Sequence, residues 1–137
     1  MKTLLYLSDI LYFVALWGAV FVYGERNAIW VAGLSFATVF FALWIIARLQ
    51  LGVSFSIRPK AKSLVTTGFY KWFSHPIYLF GALSHLGIVV AFQHWWILPL
   101  WFAIPAPFQW ARMKKEDKIL ETEFGEEFRS LRSGTIL

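Results

Sequence analysis

Two clusters of polar residues hold nearly everything in this chain that could do chemistry. The first is Gly68-Phe69-Tyr70-Lys71-Trp72-Phe73-Ser74-His75-Pro76-Ile77-Tyr78, directly before an apolar run. The second, Arg112 through Gly125, directly follows another apolar run about forty residues later. Charged and hydrogen-bonding groups are costly in a bilayer and are used there sparingly. Two such clusters at the ends of adjacent apolar runs can meet in space. His75 and Tyr78 of the first cluster, and His85 within the apolar run that follows, fall on one side of a helix at about 100° per residue, with Tyr70 just upstream. This spacing describes a ligand-binding stripe, and equally a structural stripe whose members hydrogen-bond one another. In the second, Arg112 and Glu116 share a helix face, with Asp117 beside them. Such a pair on an open surface contributes little, but this one sits beside the His75 segment at the mouth of the apolar runs.

The elements that must position these clusters are membrane helices. The chain has 137 residues, 58% of them hydrophobic, 20% aromatic and 15% charged, against roughly 25% charged in a soluble domain. Four apolar runs stand out, at about Leu4–Tyr23, Ala28–Ala47, Ile77–Phe92 and Trp95–Trp110. A span needs roughly 17–25 residues, so the reading is an all-α, multi-pass membrane bundle of four helices, forming one domain over residues 1–137. The N-terminal run is too long for a signal peptide and lacks a clear cleavage site, and it is read as a retained helix.

Basic residues orient the bundle. Lys2, the group Arg48, Arg58, Lys60, Lys62 and Lys71, and the tail residues Arg112, Lys114, Lys115, Lys118, Arg129 and Arg132 all fall on one side, leaving Arg26 opposite. The positive-inside rule then places both termini and the middle loop in the cytoplasm. The net charge of +5 is a topology signal, and it calls for no nucleic acid. Trp30, Trp44, Trp72, Trp95, Trp96 and Trp110 are expected near helix ends, at headgroup level.

The middle loop, about Arg48 to Ser74, is long enough to be functional. Thr66, Thr67 and Gly68 read as a turn into Tyr70, and Pro76 suits the first turn of the third helix. In the fourth run, Pro105 and Pro107 are expected to bend or break the helix near its cytoplasmic end, freeing carbonyls around Trp101 and Ala103. A separate charged helix over about Ala111–Phe124 is then expected, with Met113, Leu120 and Phe124 as its apolar stripe and Gly125 as its cap. A short helix from Glu126 to Leu131 follows.

Several chemistries are excluded. With no cysteine there is no disulfide, thiolate zinc site or cysteine nucleophile. Three histidines without an ordered partner set make no metal site, and His94 falls on the opposite side. There is no phosphate-binding glycine loop and no serine elbow.

The ordered set of motifs resembles the isoprenylcysteine carboxyl methyltransferase and phospholipid methyltransferase group. Leu64-Val65-Thr66-Thr67-Gly68-Phe69-Tyr70 is similar to its Leu-Val-x-x-Gly-x-Tyr segment, and His75-Pro76-Ile77-Tyr78 to its Arg-His-Pro-x-Tyr segment. Arg112, Glu116, Leu120, Phe124 and Gly125 fall at the spacing of its third motif. The likeness runs over about Leu51–Phe128. Ser74 stands where the group usually has arginine, Phe80 where glycine follows the tyrosine, and Asp117 where a second glutamate is usual.

The resemblance implies S-adenosyl-L-methionine as methyl donor, bound at the cytoplasmic mouth by Tyr70, His75, Pro76, Tyr78, Glu116, Asp117, Leu120 and Phe124. Glu116 would meet the donor's ammonium, His75 or Tyr70 its carboxylate, and Phe73, Leu120 or Phe124 its adenine. Arg112 and Glu116 are the implied catalytic residues. A carboxylate acceptor is already ionised and would be aligned by Arg112; a thiol or amine would need a base, for which His75 is the candidate. The expected partners are membrane lipids and a lipophilic or prenylated substrate entering from the bilayer. The competing expectation is a non-catalytic membrane protein of the same fold that binds a lipid or protein partner.

Overall fold

The computed structural model describes residues 2–51, 64–96, 99–100, 103 and 105–136. Their architecture is helical: α1 (Lys2–Tyr23), α2 (Ala28–Leu51), a 3-10 turn (Gly68–Lys71), α3 (Pro76–Phe92), α4 (Pro105–Phe124) and α5 (Glu126–Ser133). Helical backbone also occurs at Pro99, Leu100 and Ala103. One isolated parallel bridge joins Phe73 to Ile136.

The first three apolar runs form helices near their expected bounds. α2 has 24 residues, about 36 Å at 1.5 Å per residue, enough for a hydrocarbon core of about 30 Å. Among the described residues it is the helix long and apolar enough to cross a membrane; α3 and the Phe13–Tyr23 part of α1 are apolar but shorter. The charges Arg58, Lys60 and Lys62 of the middle loop lie outside the described residues.

The fourth run departs from expectation. α4 continues without interruption through Trp110 and Ala111 to Phe124, so no separate charged helix begins at Ala111. Pro105 and Pro107 stand at the described start of α4, and residues 101, 102 and 104, where the expected bend or break would fall, lie outside the described residues. Beyond them the sequence holds no breaker before Gly125, and a change from apolar to charged residues does not by itself end a helix. Trp101, one centre of the expected freed carbonyls, lies outside the described residues.

The core is the antiparallel α2–α3 pair. Gly33 faces Ala91, and a Cβ on it would stand 2.5 Å from the Ala91 nitrogen. Gly87 faces Ala37, with the corresponding distance 2.6 Å. Small residues on both helices let the backbones nearly touch, which is how helices gain packing where lipid removes the hydrophobic drive. Ser84 Oγ, fully buried, donates to the Ala37 carbonyl across this seam at 3.1 Å. α1 closes one side with Phe13, whose ring lies 4.7 Å from Phe41 and 5.3 Å from Trp44. Trp44 is therefore a buried core residue and not an interfacial ring, because its indole fills the space left by Gly81. Trp72, Trp95, Trp96 and Trp110 are exposed, as interfacial rings would be.

Candidate functional site

The middle loop re-enters the fold through Gln50, near the end of α2. Its Oε1 accepts the Phe69 N–H at 2.9 Å. Gly68 has φ of +63°, and a Cβ there would stand 2.4 Å from the Gln50 amide, so the turn needs glycine for both conformation and space. The 3-10 turn then presents Tyr70. Phe69 and Phe73 pack edge-on against Phe80 at 5.0 and 5.9 Å between ring centres. Phe73 is thus partly buried against the core. His75 is the N-cap residue of α3 and Pro76 its first residue, the position where proline is pre-organised.

Here α3 meets α4. His75, 8% exposed, lies with Nε2 2.9 Å from Asp117 Oδ1. A carboxylate only accepts, so Nε2 carries the proton and donates. One turn along α3, the Tyr78 hydroxyl donates to Glu116 Oε1 at 2.6 Å. Arg112 Nε stands 3.4 Å from the same Glu116 oxygen, and the guanidinium lies over the Tyr78 ring, 5.9 Å from its centre. The result is two parallel rungs, His75–Asp117 and Tyr78–Glu116, with Arg112 beside the second. The carboxylates are shielded, Glu116 being 28% and Asp117 18% exposed, whereas Arg112 is 63% exposed and reaches outward.

Tyr70 sits within the field of this group. Burial pushes its hydroxyl well above the ordinary tyrosine range; the negative charge of Glu116 adds to this, and Arg48 opposes it. Tyr70 is therefore a protonated donor throughout the neutral range.

The chain then returns to the same place. Gly125, at φ of +50°, turns α4 into α5. Arg129 spans the turn, with 2.9 Å contacts to both Glu121 and Glu126, and the buried Phe128 anchors the short helix. Arg132 ion-pairs with Asp117 Oδ2, so one carboxylate joins His75 to Arg132. Beyond it, Thr135 Oγ1 lies 2.5 Å from Ser74 Oγ, and Ile136 N–H donates to the Trp72 carbonyl at 2.8 Å. Ser74 N–H donates to the Ile136 carbonyl at 3.4 Å.

The structure brings Tyr70, His75, Tyr78, Arg112, Glu116 and Asp117 to one end of the bundle. It pairs His75 with Asp117 and Tyr78 with Glu116 on neighbouring rungs, so His75 and Glu116 flank one place. Leu120 and Phe124 follow Asp117 on α4, one and two turns on, both half-buried. His85 belongs elsewhere. Its Nδ1 lies 2.6 Å from the Gly81 carbonyl and its ring packs on Phe13 at 4.7 Å, so it is a core residue. Arg132 and Thr135 are members that sequence reasoning missed. The only signal was indirect: Ser74 in place of an arginine left a guanidinium to be supplied from elsewhere.

A helical chain whose ionisable groups gather at one end of an apolar bundle, partly shielded and opposite tyrosines, is a membrane protein with a built polar site. The chain belongs to the phospholipid methyltransferase family, whose model matches residues 43–127. That stretch contains both rungs, Tyr70 and Arg112, and stops short of Arg132 and Thr135. The family consists of integral membrane methyltransferases that generally use S-adenosylmethionine. No curated protein and no solved structure matches the chain.

Proposed function

We propose that this protein transfers a methyl group from S-adenosylmethionine to a lipophilic acceptor that reaches the site from the bilayer, with an isoprenylcysteine-like carboxylate as the favoured acceptor. The observation that carries the reading is the convergence of His75–Asp117 and Tyr78–Glu116 at one end of the α3–α4 pair, inside the residues matched by the family. We further propose four membrane spans, with both termini and this site on the cytoplasmic side. The lopsided distribution of Lys and Arg supports that orientation.

The donor set suits the cofactor's amino-acid end, which carries one ammonium and one carboxylate. Glu116, held by Tyr78, offers the ammonium a shielded counter-charge. Tyr70, kept protonated by burial, offers the carboxylate a donor. His75 is oriented by Asp117, so its ring is fixed before any ligand arrives. Leu120 and Phe124 give α4 an apolar face for the adenine. When bound, the cofactor supplies an electrophilic methyl on a sulfonium. That methyl would pass to the acceptor oxygen, with the sulfur as leaving group keeping the electron pair of the bond given up. The chain's task is alignment and exclusion of water. Arg112 is the residue placed to align a carboxylate, since its fork reaches out of the site and can hold both oxygens. A carboxylate needs no base, which agrees with a His75 whose Nε2–H is committed to Asp117.

Titrating S-adenosylhomocysteine into the detergent-purified full chain tests the reading, with saturable micromolar binding expected. Absence of binding would leave a non-catalytic lipid-binding protein as the better account. A screen of prenylated carboxylates, phospholipid amines, fatty acids and thiols then names the acceptor. For topology, Lys71→Cys should be labelled from the cytoplasmic side; labelling from the opposite side overturns the orientation.

A further inference from the structure

The site described above has two carboxylates side by side, Glu116 and Asp117, and each has its own guanidinium. Arg112 stands beside Glu116, while Asp117 is paired by Arg132 from α5. Adjacent like charges repel, and the cationic end of a ligand would be drawn to both. Arg132 neutralises one of them. It also holds the Asp117 carboxylate with Oδ1 turned to His75.

The segment beyond Arg132 holds the other member of that rung. Thr135 binds the Ser74 hydroxyl, and Ile136 exchanges backbone hydrogen bonds with Trp72 and Ser74. Ser74 immediately precedes His75, so the backbone entering His75 is fixed by residues that begin 61 positions after Ser74. His75 is thereby held through Ser74 by the segment following α5, and Asp117 is held by Arg132 in the last turn of α5.

We infer that Arg132 is a positioning residue of the site, acting through Asp117, and that residues 132–136 form a clasp that sets the His75–Asp117 rung. The inference rests on the proposed reading of the site as a cofactor site. Arg132 itself is 45% exposed and stacks its guanidinium over the Phe128 ring, 5.9 Å from its centre. Its direction is therefore fixed on both sides, by a buried aromatic and by the carboxylate.

The experiment is a mutant cycle on the full chain in detergent, read as S-adenosylhomocysteine affinity by calorimetry. Arg132→Ala should weaken binding about fivefold or more, and Arg132→Lys should recover most of the loss, because a point charge still neutralises Asp117. Asp117→Ala should weaken binding as well. The double variant should be no worse than Asp117→Ala alone, since the arginine acts through that carboxylate. Thr135→Val cuts the same clasp without changing a charge and should weaken binding in the same direction by a smaller factor. Arg132→Ala within twofold of wild type, or a double variant that multiplies the two single losses in full, overturns the inference. Hydrogen exchange at the Ser74 and Ile136 amides separates this failure from failure of the cofactor reading. If wild-type protein binds no S-adenosylhomocysteine, the cofactor reading falls. The clasp then stands if those amides are slow in wild type and faster in Arg132→Ala, and it falls if their rates are equal.

Discussion

At its Gln93 end, α3 is tied to the turn between α1 and α2 by neutral amides. The Asn27 side chain donates to Gln93 Oε1 at 2.9 Å, and Gln93 Nε2 donates to the Glu25 carbonyl at 3.0 Å and to Asn27 Oδ1 at 3.2 Å. Asn27 also accepts the Trp30 N–H at 3.0 Å, capping α2. Gln93 caps α3 itself, in the left-handed conformation. At the His75 end, about 26 Å away along 17 residues, the ties are an imidazole, two carboxylates and two guanidiniums. Both ends join three elements. The amide end achieves this with groups that satisfy one another and carry no charge. A purely structural end has no need of more. The charged end shields Asp117 and Glu116 at a desolvation cost, and what that cost provides is a field able to hold a charged ligand.

The comparison yields predictions in descending order of effect. His75→Ala and Glu116→Ala should each weaken S-adenosylhomocysteine binding at least about tenfold, near 1.4 kcal/mol, with the melting transition preserved. Unchanged affinity in both variants would make the charged end structural after all. Next, Arg112→Lys should lower turnover of a carboxylate acceptor strongly while cofactor affinity stays within a few fold, because lysine cannot bind both oxygens. Loss of cofactor binding instead would assign Arg112 to the donor and remove the main support for a carboxylate acceptor. At the other end, Gln93→Ala should reduce stability by about 1 kcal/mol and lower Tm by a few degrees, while binding changes less than twofold. A large binding defect there would erase the contrast between the ends.

The smallest effect concerns pH. The Tyr70 hydroxyl has a raised pKa in the folded state, so the folded protein keeps its proton where the unfolded chain, titrating near 10, begins to lose it. The stabilisation from this group is complete below pH 10 and declines as pH rises above that value. Melts between pH 9 and 11 should show a fall in stability that is shallower in Tyr70→Phe; identical slopes would show that Tyr70 has no part in it.

How much of this could be read from the residues follows from the range of each interaction. The helices α1, α2 and α3 were legible because apolar runs are local. The meeting of His75 with the Arg112–Asp117 segment was legible because both clusters flank neighbouring runs. The partners within that meeting were not: Glu116 and Asp117 are consecutive, and only the helix phase decides which faces His75. The continuity of α4 was misread because a separate charged helix was expected to begin at Ala111 after a break at Pro105 and Pro107, whereas the helix runs unbroken from Pro105 to Phe124. Trp44 was misplaced because an interfacial preference yielded to the space opened by Gly81. Gln50, Arg132 and Thr135 reach partners across long sequence separations with no motif of their own, so nothing local announced them.

The bond between Ser74 and Thr135 joins residues 61 positions apart, and this sets an order for the birth of the molecule. At roughly 5–20 residues per second, several seconds separate the emergence of His75 from that of Arg132 and Thr135. During that interval α2 and α3 can already close on each other through Gly33 and Gly87, while the Asp117 carboxylate still lacks its arginine and Ser74 its threonine. The membrane hairpin thus matures before the site does. A ribosome that stalls after Phe124 would leave in the bilayer a well-packed helical pair with an unfinished mouth.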